Sequence, residues 1–529
     1  MIGRRGQTPT RSGAAGDEGR KADEIGTPSP DAQPGRPGAL RAWGGPLLGL
    51  LLLAGCTVGP NYHRPETPAP ESWSETSDTL TAAPVSMVQW WTVFGDPLLD
   101  SLVDQALRSN KTLQLAEARI LQARAQRIVA ASTGLPLLNT TGSYTRLQRS
   151  NNAFSFTTGG ASGTTGTVGP GAFGLSGDLF QAGLDASWEI DVFGGVRRAV
   201  EAANANLGAA QEDFRDTLVT LLGEVATNYF QIRGNQRRIA VTIENIDIQR
   251  KTVERAQGRF QAGLGSRLEV AQAEALLATT ESQIPPLETT VKQSIYQLGV
   301  LLGLEPEALL QELSPPGPLP PEPPSVPVGL PSDLLRRRPD IRRAERQLAA
   351  ATAQIGVAVA DLFPKLSLTG AYGYESTKTS NLFSSGSQYW SGGPSLSLPL
   401  FHGGQIRGNI QVQTALQKQA LATYENTVLL ALQDVENSIV DYAEAQAARA
   451  ALARAVSSSR EATRISQDLY EKGLTDFLNV LQGESALYQT EDRLIQNDQQ
   501  ALTSLVALFK ALGGGWEIVA PEPRRTEDK

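Results

Sequence analysis

Residues 259–303 read RFQAGLGSRLEVAQAEALLATTESQIPPLETTVKQSIYQLGVLLG, and residues 469–513 read LYEKGLTDFLNVLQGESALYQTEDRLIQNDQQALTSLVALFKALG. The two align without a gap at an offset of 210. Gly263 meets Gly473, Leu264 meets Leu474, Leu268 meets Leu478, Val270 meets Val480, Glu274 meets Glu484 and Gly303 meets Gly513. About a dozen of some 45 positions are identical and the apolar spacing is shared. Helical periodicity alone copies apolar spacing, but not a Gly-Leu at one end together with a Leu-Gly at the other. The chain is therefore a duplicated unit.

The duplication extends backwards. Residues 102–144 match 330–372 at an offset of 228, with Leu107 on Leu335, Ala116 on Ala344, Pro136 on Pro364, Gly142 on Gly370 and Tyr144 on Tyr372. Between these blocks DVFGGVR at 191–197 matches LFHGGQIR at 400–407. Each half reads as helix, strand, loop, strand, long helix, turn, helix. The layout is an N-terminal extension and signal at 1–55, a leader at 56–95, a first repeat at 96–303, a proline-rich linker at 304–330, a second repeat at 331–513 and a charged tail at 514–529.

Composition narrows the function classes. Aromatic residues make up 6%, and Ala, Gln and Leu abound, which favours extended helices over one thick core. The net charge is −8 and no basic patch points to nucleic acid. Cys56 is the single cysteine, which rules out an intramolecular disulfide, and the two histidines, His63 and His402, are far apart. No His/Cys cluster has metal-ligand spacing, which leaves open only a metal site built from carboxylates alone, and no cofactor is expected.

Arg41, an apolar run at 46–54 and Leu53-Ala54-Gly55-Cys56 form a secretory signal too short to span a bilayer as a helix. Leu-Ala-Gly-Cys resembles a bacterial lipobox. Cleavage there leaves Cys56 as the first residue, carrying an N-palmitoyl group and an S-diacylglycerol, and two or more acyl chains anchor stably. Thr57 follows, where by lipoprotein analogy an Asp favours inner-membrane retention. The leader is Pro- and Ser-rich and ends at Asp96-Pro97, an N-cap and first-turn pair.

Helices are expected at 97–109, 111–134 and 340–362, and strands at 137–149, 182–193, 365–375 and 393–401, with loops at 150–178 and 376–392. In 182–193, Ala182, Leu184, Ala186, Trp188, Ile190 and Val192 alternate with polar or small residues. Twelve such residues reach about 40 Å, enough to cross a bilayer core at a tilt. Tyr144, Trp188, Tyr372, Tyr389 and Trp390 are candidates for an interfacial aromatic girdle. A soluble sandwich hairpin alternates in the same way.

No proline occurs from Gly195 to Phe260, and Phe214, Leu218, Leu221, Val225, Ile232, Ile239, Ile243, Ile246, Val253 and Phe260 form one heptad-like stripe. A long helix at 195–260 is then about 100 Å long. Its twin at 404–472 carries Tyr424, Val428, Ala431, Val435, Ile439 and Tyr442. The shorter helices, 111–134 with 266–303 and 340–362 with 476–513, sum to nearly one rod each, so each rod is expected to be flanked by two short helices stacked end to end. Pro285-Pro286 kinks or breaks the first of these, where the second repeat has Ile495-Gln496.

Four membrane-length strands cannot close a barrel, and an open edge in lipid leaves backbone groups unpaired. Closure needs further copies: two give eight strands, three give twelve. The long helices then hang on one side of the membrane, the periplasmic side for a secreted chain, with the loops on the other.

The lipobox with TVGPNYHRPETPAP, WWTVFGDPLLDSLV, RFxxGxxSxLEVAQAE at 259–274, LLRRRPDIRRAE at 334–345 and GLTDFLNVL at 473–481 resemble the TolC-like outer-membrane efflux factors, in their NodT or OprM-like lipoprotein branch. The resemblance covers nearly everything after Cys56. It implies a mainly α protein with a membrane β-barrel part: a homotrimer closing a twelve-stranded barrel continuous with a periplasmic α-helical barrel. It implies a passive exit duct in the outer membrane, docked through a periplasmic adaptor, or membrane fusion protein, to an inner-membrane transporter of the RND type. It places adaptor docking at the two helix turns, Gly263, Leu264 and Ser266 with Gly473, Leu474 and Asp476, and the periplasmic aperture near Asn479, Gln482, Glu269 and Gln272. Carboxylates often line that aperture in relatives, at positions matching Asn479 and Gln482, which are amides here.

The alternative reading is a structural coiled-coil envelope lipoprotein without channel activity, which predicts no membrane strands. No nucleophile–base pair or phosphate loop stands out, and a glycan hydrolase would need a carboxylate pair in a cleft. The protein is read as no enzyme.

Overall fold

The computed structural model describes residues 57–67, 70–74, 80–81, 87–148, 176–323 and 326–518. The signal, Cys56 and most of the loop expected at 150–178 lie outside them. Two rods dominate: α3 (Gly195–Gln261) and α9 (Gln405–Glu471), each of 67 residues. Before α3 come α1 (Pro97–Ser109) and α2 (Lys111–Ser132), and after it α4 (Arg267–Glu281) and α5 (Ile284–Leu301). A short α6 (Leu310–Leu313) and α7 (Pro331–Arg337) precede α8 (Pro339–Ala360), and α10 (Phe477–Ala511) follows α9. The expected break at Pro285-Pro286 is present: helix 266–303 is two helices, α4 and α5, whereas α10 runs unbroken through Ile495-Gln496. Asp96 caps α1 as expected, accepting from the Leu98 and Leu99 amides.

A two-residue parallel ladder joins β1 (Leu80–Thr81) to β4 (Val326–Pro327), tying leader to linker. The main sheet is antiparallel, in the order β2 (Leu137–Gln148), β3 (Ser176–Ile190), β5 (Lys365–Ser376), β6 (Gln388–Ser397). Two strands are displaced from their expected bounds. The strand expected at 182–193 starts earlier because Ser176–Gln181 pair with Ser143–Gln148. It ends at Ile190 because Asp191 turns to accept the Val196 and Arg197 amides, capping α3. The strand expected at 393–401 starts at Gln388 because Gln388–Ser391 pair with Ala371–Tyr374, and it stops before Pro399, which has no amide to give.

Register sorts the sheet into two faces. One carries the row Leu184, Tyr372, Trp390 and the row Ile190, Leu366, Leu396. The other carries Asn139 donating to Asp185 (3.2 Å) and Gln181 donating to Glu375 (3.0 Å). Tyr389 pairs with Gly373 on this polar face, so it leaves the aromatic group formed by Tyr372 and Trp390 on the other. Among the described residues no helix is long and apolar enough to cross a membrane.

The core sits midway along the rods. The leader is not wholly extended: Trp90–Phe94 winds into a 3₁₀ turn and buries Trp90, Trp91 and Phe94. Trp90 stacks on Phe509 (5.1 Å between centroids) and Phe94 meets Phe230 edge-on (4.8 Å). Tyr229 donates to Asp96 at 2.5 Å, and burial, with that bond, pushes its hydroxyl up to about 12. The stripe on α9 is buried throughout; on α3, Ile243 and Phe260 are exposed.

The end-to-end stacking is found, with a duplicated joint. Asn110, capping α2, donates to the Leu301 carbonyl at the end of α5 (2.7 Å). Its repeat mate Arg338, at the start of α8, donates to Ala511 at the end of α10 (3.1 Å). Leu301 and Ala511 are mates in turn, 210 apart. At each joint a glycine in the left-handed region, Gly303 or Gly513, lets the chains cross closely.

Candidate functional site

The two helix turns share one geometry. Gly263 (φ +70°) donates to Phe260 (3.0 Å) and Leu264 donates to Arg259 (2.8 Å). Gly473 (φ +71°) donates to Tyr470 (3.0 Å) and Leu474 donates to Leu469 (2.9 Å). Both are Schellman closures, in which a glycine takes the left-handed position so that the last carbonyls are satisfied. A Cβ on either glycine meets nothing within 4 Å, so the requirement is conformational.

That closure aims apolar side chains outward. Leu264 is 69% exposed and Leu474 71%, with Leu268 and Leu478 beside them. Ser266 caps α4, accepting from the Glu269 amide (3.2 Å). Asp476 occupies the matching position before α10 but makes no side-chain cap. The structure thus leaves both turns accessible, with leucines at their apices.

The four aperture candidates divide. Asn479 and Gln482 are exposed on α10, and Asn479 donates to Thr475 (2.8 Å). Glu269 and Gln272 are half-buried, and Glu269 is engaged: it accepts from Tyr470 of α9 (2.9 Å). Tyr470 is the hub. The Arg259 guanidinium lies 4.9 Å from its ring centre and donates to the Leu264 carbonyl (3.2 Å), while Phe477 lies 5.1 Å away. One side chain therefore ties the ends of α3 and α9 to the starts of α4 and α10. Burial, then the bond to Glu269, raises the Tyr470 hydroxyl above its ordinary value. Sequence reasoning passed over Tyr470; its signal was the aromatic mate Phe260 in the repeat alignment. Next to this hub a cavity of about 380 Å³ opens among α3, α9 and α10, lined by Thr252, Arg255, Arg259, Gln467 and Phe477.

At the other end of the rods the leader runs as a strap. The Val58 amide donates to Phe193, and buried Arg198 donates to Val58, Gly59 and Asn61 (3.1, 3.3 and 2.7 Å). Further on, Tyr62 donates to Glu345 and Trp73 to Gly329. Thr57 lies so close to Gly194 that a Cβ there would sit 2.9 Å from the Thr57 Cα. Thr57 and Val58 are thus held at the junction of sheet and helices.

A sequence profile described as outer membrane efflux protein matches residues 102–304 and 330–514. The chain is 33% identical over 470 residues to nodulation protein T of Rhizobium leguminosarum bv. trifolii, covering 89% of this chain and 97% of that one. It is 33% identical over 467 residues to the pyoverdine export outer membrane protein OpmQ of Pseudomonas aeruginosa, covering 88% and 95%. The solved outer-membrane channel OprN superposes with a TM-score of 0.79 at 35% identity, over 87% of this chain and all of that one.

Proposed function

The chain belongs to the outer membrane efflux protein family, and from that premise we propose how its parts make a duct. The protein is an outer-membrane exit duct of a tripartite efflux system. Three copies close one pipe, a twelve-stranded barrel continuing into a helical tunnel, and solutes pass through it without chemistry.

One observation carries closure by further copies, of which the family resemblance implies three: among the described residues both outer strands, β2 and β6, have an unpaired edge. Lipid does not tolerate such edges. The helices continuous with those strands support the same closure. Leading into β2, α2 exposes Leu115, Leu121, Ile128 and Val129; following β6, α9 exposes Val412, Leu416, Leu429 and Leu430. One flank of a copy is suited to meet the opposite flank of the next. Closing the sheet this way turns the Leu184–Tyr372–Trp390 face to lipid and the Asp185–Glu375 face to the lumen.

The anchor and the docking end follow. Acyl chains on Cys56 anchor the chain in the outer membrane, and the next residue, Thr57, lies against Gly194 between β3 and α3. The turns at Gly263–Ser266 and Gly473–Asp476 meet the helical hairpins of a periplasmic adaptor, Leu264 and Leu474 supplying apolar contact, and the adaptor joins them to an inner-membrane transporter of the RND type. Asn479, Gln482, Glu269 and Gln272 lie at the aperture.

The test is the purified, detergent-extracted protein. We expect a trimer by native mass spectrometry that conducts ions in planar bilayers, and a Cys56→Ser variant that stays membrane-embedded through its barrel. A stable monomer without conductance overturns the reading.

A further inference from the structure

The repeat alignment pairs Glu274 with Glu484 and Gln257 with Gln467, and each hairpin keeps the same internal bond. Gln257 donates to Glu274 (3.2 Å) and Gln467 to Glu484 (2.9 Å). The surroundings differ. The Glu274 side chain is 42% exposed and also faces Arg267 at 3.7 Å. Glu484 is 1% exposed. It is covered because α10 packs on α9 of its own hairpin and also on α3 of the first repeat, whose Thr252 donates to the same Glu484 oxygen (2.6 Å). The other oxygen, Oε2, is buried with no hydrogen-bond partner among the described residues. A neighbouring copy has no access to an atom this enclosed.

An ionised carboxylate with one oxygen sealed from water and unpartnered is costly; a proton removes the charge. The charged groups around it do not supply a counter-ion. From α3, Arg255 is the cation that acts on Glu484, but it is already paired with Glu471 of α9 (3.2 Å). Arg259 of α3 lies over Tyr470 of α9, whose hydroxyl goes to Glu269 of α4, and farther along α10 Glu491 is held by Arg460 of α9 and Asn245 of α3.

We propose that Glu484 is a proton-controlled positioning residue of the aperture: as the neutral acid it latches α10 between α3 and α9, and on losing its proton it releases that contact. It lies two residues from Gln482 on the same helix and shares Thr252 and Gln467 with the cavity beside the tip hub. The inference rests on the reading above that this end of the rods is the aperture. Burial first of all raises the Glu484 carboxyl above its ordinary value, against the lowering pull of Thr252, Gln467 and Arg255. A carboxyl raised in the packed state favours that state at low pH, and the advantage is lost as pH rises from the ordinary glutamate value through the raised one. The latch therefore holds in acid and loosens towards neutral and alkaline pH.

The test uses the purified full-length protein in planar bilayers of phosphatidylethanolamine and phosphatidylglycerol, with conductance followed from about pH 5 to about pH 8. The open fraction of wild type rises with pH, by up to about tenfold per unit for each proton that must leave. Glu484→Gln, neutral at every pH and still able to accept from Thr252 and Gln467, gives a low, pH-flat conductance. Glu274→Gln follows wild type. Coincident pH profiles for wild type and Glu484→Gln overturn the proposal. A second readout needs no channel: the unfolding midpoint of Glu484→Gln gains on that of wild type as pH rises, and a constant difference overturns the latch even if nothing conducts. Absence of conductance at every pH from every variant strikes the duct reading, leaving the midpoint comparison to decide the latch.

Discussion

The hairpin of α3 and α4 and the hairpin of α9 and α10 are copies that have kept their internal bonds and exchanged their surroundings. The Schellman turn is the same in both, to one degree in glycine φ. So is the Gln–Glu bond, and so is an ion pair farther up, Arg250 with Glu281 (3.4 Å) and Arg460 with Glu491 (2.6 Å). Yet the Glu281 side chain is 47% exposed and the Glu491 side chain 13%, because Glu491 also takes the Asn245 amide from α3. Arg238 of α3 likewise reaches Asp492 of α10 (2.7 Å). In a single chain α10 is an inner helix, held by both rods. Bonds that a hairpin makes within itself survive duplication; burial belongs to the neighbour.

The comparison breaks most visibly at the position where the first repeat already carries prolines. Ile495 is buried in the unbroken α10, so Ile495→Pro removes a helix hydrogen bond and clashes with the preceding turn, at about 3 kcal/mol or more. The thermal unfolding midpoint should fall by several degrees, whereas Pro285→Ala, at an existing break, changes it little.

The stacking joints come next. Arg338→Ala strips Asp340 (2.7 Å) and Asp434 (3.1 Å) of their cation and leaves the Ala511 carbonyl without its donor. Its cost is about 3 kcal/mol. Asn110→Ala removes the cap on the Leu113 amide and the bond to Leu301, together about 2 kcal/mol. Chemical-denaturation midpoints rank the two, and an equal or reversed order contradicts the view that the second joint is the more heavily charged.

The smallest effect should be the most symmetric. Gly263→Ala and Gly473→Ala each force an L side chain into the left-handed region, at about 1 kcal/mol. Neither creates a clash, so the two costs should agree. A marked difference would mean that the tips are not equivalent even in backbone strain.

The rods were the most legible part of the chain, since a proline-free stripe of apolar residues admits little but a long helix, and both were found within a residue or so of their expected ends. The strands were legible as alternation but not in their limits. Ser176–Gln181 have no apolar rhythm to distinguish them from the Gly- and Ser-rich loop, and only pairing with β2 makes them strand. Tyr389 shows the same limit: an aromatic beside Trp390 looks like part of one girdle, but adjacent strand residues face opposite ways. At the candidate site the turns were readable because left-handed glycines recur at a fixed offset. Tyr470 and Glu484 were not, since their roles depend on Arg259, Glu269 and Thr252, which are more than 200 residues away along the chain.

The sequence by itself determined the helix lengths, the turn chemistry and the break at Pro285-Pro286, because each is written in residues within a few turns of one another, and it determined the duplication, because the same local pattern recurs at a fixed offset. Only the tertiary structure decided which copy of a shared glutamate is wet and which is sealed, and which helices the leader lies against. Those outcomes depend on which helix lies alongside, and duplicated residues carry no local record of their neighbours.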